Sequence, residues 1–235
     1  MKKLFILFFG VFISFTGSSQ SCLPQGITFS TQAQIDNFHI NYPNCTQIDG
    51  LVQISGSDIH NLNGLNVLTS IGNGLFITSC HNLSSLTGLN NITSIGMLLY
   101  LSDNESLTNL TGLDNLASVM DIQIFWCSSL TSLTGLGSLS SFTGNFYISN
   151  NPALTSLTGL NALTHMGGSL SIRSCGKLKS LAGLESLTII GSAGGNLDLF
   201  ANDSLTDLTG LNNVTSIGVL LINSNPALTS LTGLN

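Results

Sequence analysis

Residues 75–96 read Leu-Phe-Ile-Thr-Ser-Cys-His-Asn-Leu-Ser-Ser-Leu-Thr-Gly-Leu-Asn-Asn-Ile-Thr-Ser-Ile-Gly, and their pattern changes character part-way along. Leu75 and Ile77 alternate with Phe76 and Thr78, the period of two that marks a strand with one buried face. From Leu83 onward the apolar residues Leu86, Leu89, Ile92 and Ile95 fall at every third position. That spacing alone would suit a short helix. The residues between them are Thr, Ser, Gly and Asn, however, which form helices poorly and turns well. The second half is therefore expected to be extended and turn-rich.

The same phrase recurs along the chain. Its Leu-x-Gly-Leu glycine stands at Gly64, Gly88, Gly112, Gly135, Gly159, Gly183, Gly210 and Gly233, at spacings of 24, 24, 23, 24, 24, 27 and 23 residues. A fixed period in this range is the signature of stacked coils. Seven apolar columns per coil, with the Cys80 position beside them, then build a narrow core that exists only where a neighbouring coil covers it. The repeated glycine is expected at a positive φ or at a close approach to the next coil.

One column just after the strand holds Asn104, Asn151, Asn202 and Asn225, where an inward amide can bond the backbone of successive turns. Cys80, Cys127 and Cys175 occupy the same column in alternate copies. Adjacent strands stack about 4.8 Å apart, so these cysteines are expected roughly 10 Å from one another. That is beyond disulfide reach, and the three are read as free buried thiols with no metal role.

Composition narrows the function classes. Hydrophobic residues make up 43% of the chain, enough for a continuous core, while charged residues are only 7%. Eleven acids against five bases give a net charge of −6 with no basic stripe, so nucleic acid is not an expected partner. His39, His60, His81 and His165 are scattered, and no nucleophile elbow, P-loop or dinucleotide fingerprint occurs. No enzyme activity, metal or cofactor is expected.

The ends depart from the repeat. Residues 1–21 read as an export signal: Lys2 and Lys3, an apolar run from Leu4 to Phe15, then Gly17 and Ser19 before Gln20. A run this short does not span a bilayer, so no transmembrane segment is expected, and the destination is outside the cell or on its surface. Residues 22–47 are read as an N-terminal cap. Thr31 and Gln34 form a capping-box pattern, Ile35 and Phe38 mark the apolar side of a short helix, and Pro43 ends it. Cys22 and Cys45 bracket this segment and are expected to pair in an exported protein. Residues 48–235 form the repeat region, which stops mid-coil and reads as truncated. An uncapped end of that kind could associate end to end with another copy.

The opening Leu-x-Ile-x-x-Asn/Cys-x-x-Leu of each copy resembles the leucine-rich repeat. The longer phrases, Leu68-Thr-Ser-Ile-Gly72 and Asn151-Pro-Ala-Leu-Thr-Ser-Leu157, resemble the receptor L-domain. The resemblance covers about residues 48–235. It implies a mostly β, right-handed solenoid of eight coils that binds other macromolecules, and it carries no individual contact residue over to this chain.

A binding surface can instead be read from alternation. Two outward columns follow from the strand pattern: Gln53, Phe76, Tyr100, Gln123, Tyr147, Ser171, Asp198 and Leu221, then Ser55, Thr78, Ser102, Phe125, Ser149, Arg173, Phe200 and Asn223. Trp126 follows Phe125 directly. Aromatics facing water bury much area at low entropy cost when a partner arrives. Phe76, Tyr100, Phe125, Trp126, Tyr147, Arg173, Asp198 and Phe200 are therefore the candidate binding residues, for a protein or a polysaccharide. Two other readings stand beside this one. The solenoid could be a spacer for a missing module, or the threonines of Leu-Thr-Gly, such as Thr134 and Thr158, could form an ice-binding rank.

Overall fold

In the computed structural model, residues 20–192 and 194–234 are described. The export-signal reading lies, up to residue 19, outside the described residues. Each copy of the repeat makes one turn of a coil, and its opening apolar pair makes a strand. The front strands are β1 (Ile27–Phe29), β2 (Val52–Ser55), β3 (Leu75–Thr78), β4 (Leu98–Ser102), β5 (Asp121–Phe125), β6 (Phe146–Ser149), β7 (Leu170–Arg173), β8 (Asn196–Phe200) and β9 (Val219–Asn223). They form one nine-stranded parallel sheet in chain order, β1 being contributed by the cap. This is a mostly β parallel solenoid of about eight turns, as the period predicts.

The second side of each coil starts where the Thr-Ser-Ile-Gly phrase reaches the next corner. There short parallel strands stack into two further sheets. One holds Gln20–Cys22, Cys45–Ile48, Ser70–Ile71 and Ser94–Ile95; the other holds Ser141–Phe142, His165–Met166, Ile189–Ile190 and Ser216–Ile217. The back, with its three-residue apolar spacing, is built from turns, as its Ser, Thr, Gly and Asn content dictates. A 3-10 turn at Asn63–Leu65 is the single helical exception there among the described residues.

The leucines meet inside. Leu75, Ile77, Cys80, Leu83, Leu86, Leu89, Ile92 and Ile95 are all at most 1% exposed, and their equivalents continue the core to Leu211. Each fully buried side chain of this size contributes roughly 1.5–3 kcal/mol of apolar transfer, provided that the next coil covers it. The repeated glycine answers both sequence expectations. Gly112 has φ +115°, and a Cβ there would sit 2.1 Å from the Leu86 carbonyl oxygen of the preceding coil. Any side chain at that position would push the coils apart.

The cap is more than a short helix, since it lends β1 and most of the strand Cys45–Ile48 to the sheets. The Thr31–Gln34 capping box forms, but the helix is broken in two, α1 (Gln32–Asp36) and α2 (Phe38–Asn41). Asn37 leaves helical geometry between them. Ile35 and Phe38 are fully buried, and the Cys22–Cys45 disulfide ties the cap together with Cα atoms 5.6 Å apart. Gln32 is buried too, which the capping pattern does not foretell. Its Oε1 accepts the His60 and Asn61 backbone N–H groups, and its Nε2 donates to Asp36.

The 27-residue spacing is accommodated at a corner. The extra length falls between the side strand Ile189–Ile190 and β8, where Gly191 and Gly194 take φ of +75° and +90°. Front pairing is unaffected: Ser171 still faces Asp198, and Arg173 faces Phe200. At the far end, Val219, Leu220 and Leu221 of the last strand are 49%, 38% and 46% exposed.

Candidate functional site

Front-sheet register places every residue of the two outward columns opposite its expected neighbour. Gln53, Phe76, Tyr100, Gln123, Tyr147, Ser171, Asp198 and Leu221 pair in succession, as do Ser55, Thr78, Ser102, Phe125, Ser149, Arg173, Phe200 and Asn223. The rings do not stand singly in water. Phe76 meets Tyr100 at 5.3 Å between centroids, Tyr100 meets Phe125 at 5.9 Å, and Phe125 meets Trp126 at 5.7 Å. The interplanar angles are 45°, 69° and 59°, the tilted and edge-on arrangements that the ring quadrupole favours. Phe76, Tyr100 and Phe125 shield one another and are half-buried, whereas Trp126 is 51% exposed.

Trp126 also has an unusual backbone. The residue just after each front strand from β3 to β9 turns left-handed: Ser79, Asp103, Asn150, Ser174, Ala201 and Ser224 have φ between +54° and +58°. In β5's coil that residue is Trp126, at φ +53°. Small polar residues tolerate this conformation, and a bulky indole does so at a cost of roughly 1–2 kcal/mol.

Further along the sheet the surface becomes polar. Arg173 and Asp198 form an ion pair across β7 and β8, with Arg173 Nε donating to Asp198 Oδ2 at 2.7 Å and Nη2 bonding the same oxygen. Ser171 lies buried beneath them and donates to that oxygen at 3.0 Å. The guanidinium carbon also sits 5.9 Å over the Phe200 ring, close enough for a cation–π contact. Between this pair and Tyr147 lies a groove of about 480 Å³, walled by Tyr147 and Phe125 and rimmed by Ser169, Asn196 and Asp198. The eight candidate residues thus divide into an aromatic run at Phe76, Tyr100, Phe125 and Trp126 and a mixed groove at Tyr147, Arg173 and Asp198, joined through Phe125, with Phe200 outside the groove against the Arg173 guanidinium. No cluster of three or more metal-ligating side chains occurs among the described residues.

The family model described as BspA type leucine rich repeat region matches this chain in six copies, over residues 25–104, 55–170 and 100–229. The chain belongs to the BspA-type leucine-rich-repeat family. The leucine-rich-repeat resemblance is thereby borne out in its BspA-type form. No curated protein matches the chain, and no solved structure does. BspA-type repeat proteins commonly serve in surface binding or adhesion and are often secreted or held at the surface. No helix among the described residues is long and apolar enough to cross a membrane.

In this BspA-type solenoid the column after the strand holds more than an asparagine ladder. Asn104 Oδ1 accepts the Cys80 N–H at 3.1 Å, and Asn104 Nδ2 donates to the Ile77 carbonyl at 2.8 Å, both in the preceding coil. Asn151 does the same for Cys127 and Ile124, Asn202 for Cys175 and Ile172, and Asn225 for Asn202 and Leu199. The cysteines are rungs of this ladder as well. Cys80, Cys127 and Cys175 hydrogen-bond the backbones of Gly56, Asn104 and Asn151 respectively, each one coil back. Cys80 Sγ further donates to the Ile54 carbonyl at 3.8 Å. All three thiols are free and buried. Burial outweighs those hydrogen bonds, raising the Cys80 thiol and pushing Cys127 and Cys175 up to about 11 and about 12.

The threonines of Leu-Thr-Gly belong to a different network. Thr134 and Thr158 pair with Ser132 and Ser156 of their own coils at 3.0 Å. The hydroxyls that do bridge coils come from other columns, such as Thr131 to the Thr108 carbonyl and Thr188 to the Thr164 carbonyl.

Proposed function

We propose that this protein is an exported, non-catalytic binder that grips an extracellular protein or glycan with the aromatic-bearing side of its front sheet. One observation carries the reading: Phe76, Tyr100, Phe125 and Trp126 form a continuous run of contacting rings that is left partly open to solvent. Such rings gain area at little entropic cost when a partner covers them, and contiguous apolar patches on a polar surface mark interaction sites. The floor supports this use, because a parallel sheet pinned by inter-coil hydrogen bonds holds the rings in place before any partner arrives. The family's common use in surface binding and adhesion points the same way.

The combined change Tyr100→Ala, Phe125→Ala and Tyr147→Ala tests the proposal. Labelled wild-type protein applied to a printed array of extracellular proteins and polysaccharides should bind at least one spot. The triple variant should lose that binding while its Tm falls by only a few degrees, since none of the three rings belongs to the coil interior. Equal binding by both proteins would overturn the aromatic side as the binding surface, and a wild type that binds nothing would show the solenoid to be a spacer instead.

A further inference from the structure

Resting on that reading, we infer that the groove between Tyr147 and the Arg173–Asp198 pair takes one unit of a neutral polysaccharide. The argument begins with unused hydrogen-bonding capacity. Every hydrogen bond that Asp198's carboxylate receives from Ser171 and Arg173 falls on Oδ2. Oδ1 has no partner among the described residues. No buried side-chain polar atom is left unpartnered, so Oδ1 must reach solvent. Arg173 spends Nε and Nη2 on that one oxygen, leaving the Nη1 donors free of any partner among the described residues. A charge-assisted acceptor on Asp198 and charge-assisted donors on Arg173 thus remain open on two residues that line the groove. Two neighbouring sugar hydroxyls, one donating and one accepting, satisfy that arrangement. The side-chain amide of Asn196 on the rim adds a donor and an acceptor that are likewise unpartnered among the described residues.

The opposite wall supplies what the other face of a sugar needs. Tyr147 and Phe125 present ring surface to the groove, against which the C–H side of a pyranose can pack. The volume of about 480 Å³ lies within the span of roughly 300–1,000 Å³ usual for small-molecule sites, and the open sheet lets a polymer run on beyond one unit.

Charge selects among saccharides. Arg173 and Asp198 cancel each other, and no other residue of the two outward columns is charged. Arg173, Lys177 and Lys179 are the only bases among the described residues, while all eleven acids lie there. An acidic polymer would be repelled, and a neutral one would not. A protein hot spot would want a dry apolar centre, which this serine- and asparagine-rimmed groove does not offer.

Native gels cast with neutral polysaccharides (xyloglucan, galactomannan and laminarin) or acidic ones (polygalacturonate and heparin) test the assignment on the full chain. At least one neutral gel should retard the protein, and neither acidic gel should. Tyr147→Ala and Asp198→Asn should each weaken that retardation by about tenfold or more in apparent Kd. Tyr147→Phe, which keeps the ring, should retain it and so guards against a folding defect. Retardation that survives both variants, or that appears only in acidic gels, would overturn the saccharide assignment. So would its absence from every neutral gel. If array proteins are still bound through Tyr100 and Phe125 in that case, the binder reading stands and its ligand is a protein; if nothing is bound, both readings fall.

Discussion

Trp126 sets a local conflict between packing and backbone. Its indole joins the aromatic run, a contact worth roughly 0.5–1.5 kcal/mol when buried and less at 51% exposure. Its left-handed φ of +53° costs about 1–2 kcal/mol. The backbone term is the larger, so Trp126→Asn, which suits the conformation and keeps the N–H donated to the Ser149 carbonyl, should be neutral or stabilising by up to about 1 kcal/mol. Removing a tryptophan from an ordinary surface pair would lower stability. Urea unfolding decides the sign, and a fall of more than about 1 kcal/mol would refute the strain account. Binding should weaken in the same variant. Strain retained at an exposed aromatic is the pattern expected where recognition, not stability, fixes the residue.

At the scale of the coil, the ladder explains why asparagine and cysteine can share a column. Each side chain there must accept an N–H from the coil before it, and an amide oxygen or a sulfur atom can do so. Cys127→Asn should therefore be tolerated, with a change within about 1 kcal/mol. Cys127→Val leaves the Asn104 N–H buried and unpaired and should cost about 1–3 kcal/mol. Equal losses in the two variants would mean that sulfur serves only to fill volume. The column itself was legible from spacing, and so was the freedom of its thiols. Their hydrogen-bonding role was not, because sulfur is a weak acceptor and sequence alone gives no sign that a backbone N–H lies within its reach.

For the molecule as a whole, nearly all contacts join neighbouring coils, so stability is close to a sum of nearest-neighbour terms. Reducing the Cys22–Cys45 bridge, which closes a separation of 23 residues, should remove about 3 kcal/mol in the chain-entropy view. The loss should be local: hydrogen exchange after reduction should quicken across the cap and the first coil or two, leaving β5 to β7 unchanged. Uniform acceleration along the chain would instead indicate one all-or-none unit. Sequence period foretold the coil count and the front register, and alternation alone put Phe76, Phe125 and Arg173 on the open side, although Ser102 and Ser171 of the same columns are buried. It could not foretell the Arg173–Asp198 pair. Those two residues lie on different columns of adjacent strands, as diagonal and not direct partners, and the rotamer that carries the long arginine side chain across to Asp198 is not written in the spacing. The lengthened corner just before β8 bears on descent as well as shape. Indels confined to that bend would let relatives drift in length without shuffling their recognition side, so divergence in ligand choice and divergence in size can proceed independently.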